Sequence, residues 1–167
     1  MTGRIFTADH HVYDLPPLLS WNVRHTGTVP CDSWSVTAVY QPEMLTVLRM
    51  AAGFAAIENG MTQLRGIVDE YTVELGSRGM TVTLSGRGYA ARLLDNESRP
   101  VTYEQVTLRE LVRCHAEPYG ISCGAAADLR STVPYTAGAG ISQWKVISEF
   151  CRTYGGFLPR FAKTGEL

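Results

Sequence analysis

The chain has 167 residues, enough for one ordinary domain or for two small ones with an adequate core. Apolar residues make up 45% and charged residues 19% of the chain, and this globular composition excludes an extended disordered protein. The formal net charge of -1 creates no overall field that would attract nucleic acid or an anionic membrane. Neither is therefore expected as a partner.

The cysteines and the N-terminal segment bear on the compartment. No apolar run approaches the roughly 20 residues of a membrane-spanning helix, and residues 1–11 lack the basic-then-apolar order of a signal peptide. Cys31, Cys114, Cys123 and Cys151 are widely spaced and form no Cys-x-x-Cys pair. We expect free thiols in a reducing cytoplasm, with neither a structural disulfide nor zinc.

The first half of the chain is predicted to consist mainly of strands. Segments 18–25 and 33–40 alternate apolar with polar residues, the pattern of half-buried strands. Residues 43–50 follow a proline and favour a short helix, although an apolar strand pair also fits. Asn59-Gly60 between two apolar runs predicts a tight hairpin turn.

A second hairpin is predicted from strands 68–75 and 80–85, which the Gly-rich segment 76–79 joins. Together with the connection 27–30 between the two earlier strands, this spacing of short strands favours a small barrel or a sandwich. We assign residues 1–96 to a small β-barrel domain.

The second half, residues 97–167, changes character. Thr107 and Glu110 form a capping box that begins a helix, which is expected to stop at Gly120. Ser142 precedes a second helix with a broad apolar stripe, which Gly155-Gly156 ends. Residues 157–161 are predicted to be a strand, followed by a Lys-Thr-Gly-Glu turn whose returning strand has scarcely begun. The predicted fold class is α+β: the barrel is followed by a small α/β domain that is truncated at its C-terminus.

Two groups of polar residues contain metal ligands or nucleophiles. Adjacent His10 and His11 point to opposite sides of an extended chain, so they cannot readily share one ion with Asp9 and Asp14. In the pair Cys114-His115, helical neighbours diverge by about 100°, which separates the thiol from a possible base. His115 lies on the apolar stripe of its helix, where a core histidine is expected. Cys151 likewise faces the packed side of its helix.

The remaining candidates are a glycine-rich segment and four carboxylates. Residues 85–88, Ser-Gly-Arg-Gly, lack the Lys-Ser/Thr of a phosphate loop, and their glycines favour a bulge or a tight strand exit. Arg87 is expected to pair with Asp69 or Glu70, which should alternate across their strand. Asp95 and Glu97 read as solvated or capping groups. We therefore predict no catalytic, cofactor-binding or metal-binding residue, and no enzyme.

The tryptophans bear on whether the chain is a wall-binding module. Such a module needs an exposed aromatic platform. Trp21, Trp34 and Trp144 instead occupy alternating or amphipathic patterns that predict burial.

Five sequence blocks form a recognisable pattern: Gly66–Tyr71, Ser85–Arg87, Leu93–Glu97, Thr107–Ile121 and Gly140–Arg160. In order and spacing these blocks resemble the hub proteins of phage-tail baseplates, of the late-control D and prophage tail-protein type. The similarity runs from about Asp32 to the C-terminus, while the first thirty residues match only loosely.

The resemblance implies a structural role without enzymatic activity. Hub proteins of this type are trimers whose β-barrel domains form a pseudo-sixfold collar between the tail tube and the central spike. The resemblance thus implies a homotrimer of the full-length protein, tube and spike proteins as partners, and a place in the virion tail after assembly in the host cytoplasm. The chain stops where relatives continue into a second barrel. The alternatives are the N-terminal docking part of a tail-associated peptidoglycan hydrolase and a cell-wall-binding module.

Overall fold

A computed structural model of the chain describes residues 1–27, 30–77 and 79–167. The chain divides into two compact units, Met1–Gly88 and Tyr89–Leu167. This division lies N-terminal to the boundary that the sequence suggests between residues 96 and 97. None of the helices in the described residues is long and apolar enough to cross a membrane.

The first unit is built mainly of strands. Its elements are β1 (Thr2–Thr7), β2 (Val12–Asp14), β3 (Leu18–Arg24), β4 (Ser33–Val39), α1 (Met44–Arg49), β5 (Ala51–Glu58), β6 (Met61–Gly76) and β7 (Gly79–Gly88). The helix predicted at residues 43–50 is therefore confirmed to within one residue at each end. Of the connection 27–30, residues 28 and 29 lie outside the described part of the chain, as does residue 78 of the turn 76–79.

These strands form one antiparallel sheet in the order β2-β1-β5-β6-β7-β4-β3. Its two edge strands follow each other in sequence, since only Leu15–Pro17 connects β2 to β3. Such a connection spans at most about 14 Å, so one end of the sheet must curl until its edges lie near each other. Within the described residues no ladder joins β2 to β3, so the sheet is not shown to close into the predicted barrel.

The curl of the sheet is seen at Trp34 of β4, whose side chain reaches across the sheet to β5. Its ring stacks on Phe54 of β5 at 3.8 Å between centroids, and its indole nitrogen donates to the Ile67 carbonyl at 3.1 Å. The strands β6 and β7 lie between them and present Gly66 and Gly86 beneath the indole ring. A β-carbon on Gly86 would collide with the Ile67 carbonyl and lie 2.9 Å from the indole ring. The absence of these two side chains lets the sheet fold around the aromatic pair.

Both predicted hairpins are confirmed. Asn59 and Gly60, with φ of 51° and 77°, connect β5 to β6 in the left-handed conformation that this turn requires. The register of β6 and β7 ends at the pair Gly76 and Gly79.

The second unit combines helices with a two-stranded antiparallel sheet. Its elements are α2 (Ala90–Leu94), β8 (Val101–Tyr103), α3 (Leu108–His115), a 3-10 turn (Glu117–Tyr119), β9 (Tyr135–Ala137) and α4 (Gln143–Gly155), with β8 paired to β9. The Thr107–Glu110 capping box and the Ser142 cap are confirmed, as is the left-handed stop at Gly156. The chain is thus α+β, with a mostly antiparallel sheet and few helices.

The strand predicted at residues 157–161 is wrong, because this segment has no ladder partner in the described chain. It packs through a side chain instead, since Phe161 stacks on Trp144 of α4 at 6.0 Å between ring centroids. Pro159 also has no N–H to donate to a ladder. The turn after this segment is confirmed, since the Ala162 N–H donates to the Glu166 carbonyl at 2.8 Å.

Candidate functional site

The acidic and histidine residues near the N-terminus form separate pairs and not one cluster. Asp14 forms an ion pair with Arg4 at 2.6 Å, and hydrogen bonding from this guanidinium lowers the pKa of Asp14. Asp9 accepts from the Thr7 hydroxyl, which lowers the pKa of Asp9, and lies 3.6 Å from the exposed His11 ring. Residues 1–27, 30–77 and 79–167 contain no group of three or more potential metal ligands.

Cys114 and His115 diverge as predicted. Cys114 is exposed, whereas the His115 ring is buried between β8 and α4. Its Nδ1 lies 2.6 Å from Gln143 Oε1, and its Nε2 lies 3.0 Å from the Tyr103 hydroxyl. Because the Gln143 amide NH2 donates to the Glu97 carbonyl and to the Tyr119 hydroxyl, its oxygen must accept from His115 Nδ1–H. The predicted core histidine is confirmed.

The glycine-rich segment 85–88 ends β7. Arg87 donates to both carboxylate oxygens of Asp69, at 2.8 and 2.9 Å, which confirms the predicted ion pair. Glu70 accepts from the Ser85 hydroxyl at 2.9 Å. The expected alternation of the two carboxylates is wrong, since a register shift between Val68 and Glu70 lets both reach the same face of β7.

The other two carboxylates lie at helix ends. Asp95 is the C-terminal cap residue of α2, and Glu97 forms a single antiparallel bridge to Ser142, the residue that caps α4. Asp69 and Glu70 belong to the first unit, and Asp95 and Glu97 to the second. The carboxylates of Asp69 and Glu70 thus contact side chains of β7, whereas Asp95 and Glu97 are placed by their backbones at the ends of α2 and α4.

A cleft of about 320 Å³ lies in the second unit, between α3, α4 and the segment 157–160. Its lining is apolar apart from Arg160 and two thiols, those of Cys123 and Cys151. Burial raises the pKa of the Cys151 thiol to about 11, so the thiol stays protonated and weakly nucleophilic near neutral pH.

A four-stranded segment of the first unit has two edges that pair with no other strand of residues 1–27, 30–77 and 79–167. It consists of β3, β4, β7 and the second half of β6, Val68–Gly76. β5 pairs with β6 only as far as Ile67, so in the described residues Val68–Gly76 forms a ladder with β7 alone. On the other side, β3 pairs with β4 and with no further strand that the structure describes. Each edge therefore presents backbone groups that another strand can bind.

The two faces of this segment differ in chemistry. One face carries Val36, Val82 and Leu84 into the core of the first unit. The other carries rows of hydroxyl groups. In one row Thr72 lies opposite Thr83, Thr83 opposite Thr37, and Thr37 opposite Ser20. The Thr37 and Thr83 hydroxyls lie 3.1 Å apart and form a hydrogen bond.

The edge strand β3 also exposes apolar side chains. Trp21 lies opposite Val36, which places its indole on the core side of the sheet, yet Trp21 is 50% exposed and Leu19 57%. The predicted burial of Trp21 is therefore wrong, because no strand in the described part of the chain lies beyond β3 to cover it. Trp34 is buried as predicted, and Trp144 is half-buried.

The fold is shared with solved structures of tail proteins. No family model and no curated protein matches the chain. It is similar to the tail protein from Neisseria meningitidis MC58, with 13% identity, a TM-score of 0.70 and coverage of 99% of this chain and 48% of that one.

A second similar structure is the 43 kDa tail protein of prophage MuSo2 from Shewanella oneidensis. Here the identity is 14% and the TM-score 0.74, with coverage of 99% of this chain and 52% of that one. The chain thus spans about half the length of either tail protein and shares their fold over nearly its whole length.

Proposed function

We propose that the chain is a structural component of a phage or prophage tail, and that it acts as a baseplate hub joining the tail tube to the central spike. The observation that carries this proposal is the fold, which the chain shares over 99% of its length with two tail proteins, one of them from a prophage. The sequence blocks that resemble late-control D hub proteins support the same role. The chain would work in the virion tail after assembly in the host cytoplasm, without enzymatic activity and without binding nucleic acid or membrane.

The free strand edges suggest how a hub ring would be held together. The edges β3 and Val68–Gly76 lie on opposite sides of the same four-stranded segment. The β3 edge of one copy can pair with the β6 edge of the next, a head-to-tail contact that closes into a ring when the rotation permits. In this proposal the curled sheet of the first unit is the hub barrel, and the full-length protein is a homotrimer.

Trp21 is the natural anchor of such a contact. Its indole is half exposed beside a free strand edge, and large aromatic side chains dominate the binding energy of interfaces. A second copy paired along β3 would cover Trp21 and Leu19. The polar hydroxyl face would then remain in water on one side of the ring.

The test is the solution mass of the full-length native protein, measured by light scattering after size exclusion. We expect a trimer for the wild type and a monomer for Trp21→Glu, because a charge at the proposed edge contact would have to be desolvated. The matched control is Val133→Glu, which places the same charge at a residue of the second unit that is 58% exposed.

A wild-type protein that remains monomeric at high concentration would contradict the hub. It would favour the two other candidates, the docking part of a tail-associated peptidoglycan hydrolase or a wall-binding module. A Trp21→Glu protein that remains trimeric would contradict the proposed edge contact while leaving the hub in place.

A further inference from the structure

The two outer edges of the four-stranded segment differ in charge. Val68–Gly76, the β6 edge, contains no basic residue and three acidic ones, which are Asp69, Glu70 and Glu74. The β3 edge, Leu18–Arg24, contains no acidic residue and one basic residue, Arg24. Two β6 edges placed side by side would bring carboxylates together, whereas β3 against β6 brings unlike charges together. The charges therefore favour a contact between one edge of each kind.

The two faces of the segment fix the direction in which such edges can pair. β6 and β4 run one way and β7 and β3 the other, since each neighbouring pair is antiparallel. A second copy that brings its β6 to the β3 of the first, and continues the hydroxyl face, keeps the same strand directions. Rotating that copy by 180° about the normal of the sheet would instead bring β3 to β3. A contact between β3 and β6 that continues both faces is therefore antiparallel.

The alternation of side chains limits the register of this antiparallel contact. The even-numbered residues of 20–24 in β3 and of 70–74 in β6 lie on the hydroxyl face, and the odd-numbered ones lie on the core face. The faces therefore continue only in registers that differ by two residues. One of these registers overlaps the whole of β3 with residues 70–76. It sets Arg24 opposite Glu70, Asn22 opposite Thr72 and Ser20 opposite Glu74.

This register places unlike charges directly opposite each other. One oxygen of the Glu70 carboxylate accepts from the Ser85 hydroxyl at 2.9 Å, and the second oxygen can accept from Arg24. A shift of two residues one way would bring Arg24 to Asp69, whose two carboxylate oxygens already accept from Arg87. A shift the other way would set Arg24 opposite an uncharged threonine. The charges therefore select the register that pairs Arg24 with Glu70.

The same register covers exposed apolar side chains of both edges. On the core face it sets Trp21 opposite Val73 and makes Leu75 the diagonal neighbour of Trp21. Trp21 is 50% exposed and Leu75 81% within one copy. Diagonal neighbours across two strands lie about 7–8 Å apart, within reach of an aromatic ring. The charged contact on one face and the apolar contact on the other are thus made together.

We propose that β3 of one copy pairs with Val68–Gly76 of the next copy, antiparallel and in the register that sets Arg24 opposite Glu70. This inference rests on the proposed function and names the residues that select the neighbouring copy. It needs no closure of the sheet within one copy, because both edges belong to the same four-stranded segment. The Arg24–Glu70 pair fixes the register, and Trp21 with Leu75 supplies the apolar contact.

The first experiment reverses charges in the full-length native protein. Arg24→Glu and Glu70→Arg each place like charges across the contact, and the double variant Arg24→Glu/Glu70→Arg restores unlike charges. The control Arg109→Glu makes the same reversal at an exposed residue of the second unit. Circular dichroism establishes that each variant is folded, and light scattering over a dilution series measures assembly. We expect each single reversal to weaken assembly at least about tenfold, and the double variant and the control to stay within about threefold of the wild type.

The second experiment measures the register by disulfide formation in oxidised glutathione. Asn22→Cys/Thr72→Cys places two thiols at an opposite pair of the proposed register, whereas Ser20→Cys/Thr72→Cys and Asn22→Cys/Glu74→Cys place them in the two neighbouring registers. Within one copy these positions lie three strand spacings apart, roughly 14 Å along the sheet, which is too far for a disulfide. Peptide mapping identifies the linked residues. We expect the link between copies to form at least about tenfold faster in the first variant than in the other two.

The outcomes separate this inference from the hub itself. A trimeric wild type whose single reversals assemble normally, or whose double reversal fails to restore assembly, would overturn the inference and leave the hub standing. Faster linking in either neighbouring register would do the same. A link between two copies of residue 22 in Asn22→Cys would show that β3 pairs with β3, and would also overturn it. A wild type that stays monomeric would contradict the hub and the inference together.

Discussion

The two units of the chain are organised around different central features. In the first, Trp34 reaches Phe54 because Gly66 and Gly86 leave the necessary space above the backbone. In the second, the ring of His115 is held by hydrogen bonds that are completed by Gln143. The first unit should therefore be most sensitive to added volume, and the second to the loss of a polar partner. We therefore predict that the two positions least tolerant of substitution are a glycine in the first unit, Gly86, and a polar residue in the second, Gln143.

The largest effect is expected for Gly86→Ala. The new β-carbon would collide with the Ile67 carbonyl, and this backbone atom cannot move without breaking the strand pairing. We expect a loss of about 3 kcal/mol in the free energy of unfolding. Hydrogen exchange measured by mass spectrometry should show the loss of protection in peptides from Met1–Gly88.

The matched control for this variant is Gly76→Ala in the same unit. Its β-carbon makes only an ordinary contact, so protection should be unchanged to within about 0.5 kcal/mol. If Gly86→Ala were as stable as Gly76→Ala, the close approach of the Ile67 carbonyl to Gly86 would be wrong.

The next effect is expected for Gln143→Leu in the second unit. Leucine keeps the approximate volume but leaves the His115 N–H, the Glu97 carbonyl and the Tyr119 hydroxyl without their amide partner. The cost should be about 2 kcal/mol, since an unsatisfied buried group costs roughly 1–3 kcal/mol. Urea unfolding followed by circular dichroism measures it.

Asn96→Ala provides the comparison for Gln143→Leu. Asn96 donates to the Arg92 carbonyl from an exposed position, so water replaces this bond when the amide is removed. We expect a change below about 0.5 kcal/mol. Equal effects of the two variants would mean that the buried network does not stabilise the second unit.

The third prediction concerns alkaline pH. Burial raises the pKa of Tyr135 to about 12 and that of Cys151 to about 11, both in the second unit. Unfolded chains ionise first, near pH 10 for tyrosine and pH 9 for cysteine. The stability from these neutral groups is therefore fully present below pH 9 and is lost as the pH rises from 9 to 12.

The measurement is urea unfolding at pH 8 and pH 11, with Tyr135→Phe as the matched variant. Because water partly screens these groups, the alkaline loss should be only on the order of 1–2 kcal/mol for the wild type, and smaller for the variant, which lacks the Tyr135 contribution. Absorbance at 295 nm should show one fewer late-ionising tyrosine in Tyr135→Phe than in the wild type. The same alkaline loss in both proteins would contradict the burial of the Tyr135 hydroxyl.

Much of the local structure follows from the sequence. Asn59-Gly60, the Thr107–Glu110 capping box and the Arg87–Asp69 pair were all predictable, because each depends on residues of known conformational or hydrogen-bonding preference. Interactions within a few residues, or across one tight hairpin, are encoded in the segment itself.

The errors arise where the sequence pattern does not specify a partner. The alternation of apolar and polar residues correctly predicts that Trp21 lies on the core side of the sheet. The sequence pattern does not indicate that β3 is an edge strand, and this edge position leaves the indole exposed. The apolar run at residues 157–161 has the pattern of a strand, although Phe161 packs against Trp144 of α4 and the run forms no ladder with any described residue. The strand edges used in the proposed ring contact were not predicted from the sequence for the same reason. An unpaired edge can be recognised only when the order of the strands is known.

The smallest effect is expected at the helix caps of the second unit, where two similar helices can be compared. Thr107 accepts from the Glu110 N–H, and the Glu110 carboxylate accepts in return from the Thr107 N–H. Ser142 accepts from the Lys145 N–H, and lysine at this position cannot return the bond. Thr107→Ala should cost about 1 kcal/mol, and Ser142→Ala less, when both are measured by thermal unfolding.

The two caps should also differ in their response to acid. Hydrogen bonds from Thr107 lower the pKa of Glu110, so the carboxylate stabilises α3 above the ordinary pKa of 4.5. This stabilisation is lost as the pH falls through the lowered value, because protonation removes the acceptor. Thr107→Ala should therefore weaken the acid dependence of unfolding, whereas Ser142→Ala should leave it unchanged. An equal acid response in the two variants would show that the hydrogen bond from the Thr107 hydroxyl to the Glu110 carboxylate does not contribute to the stability of α3.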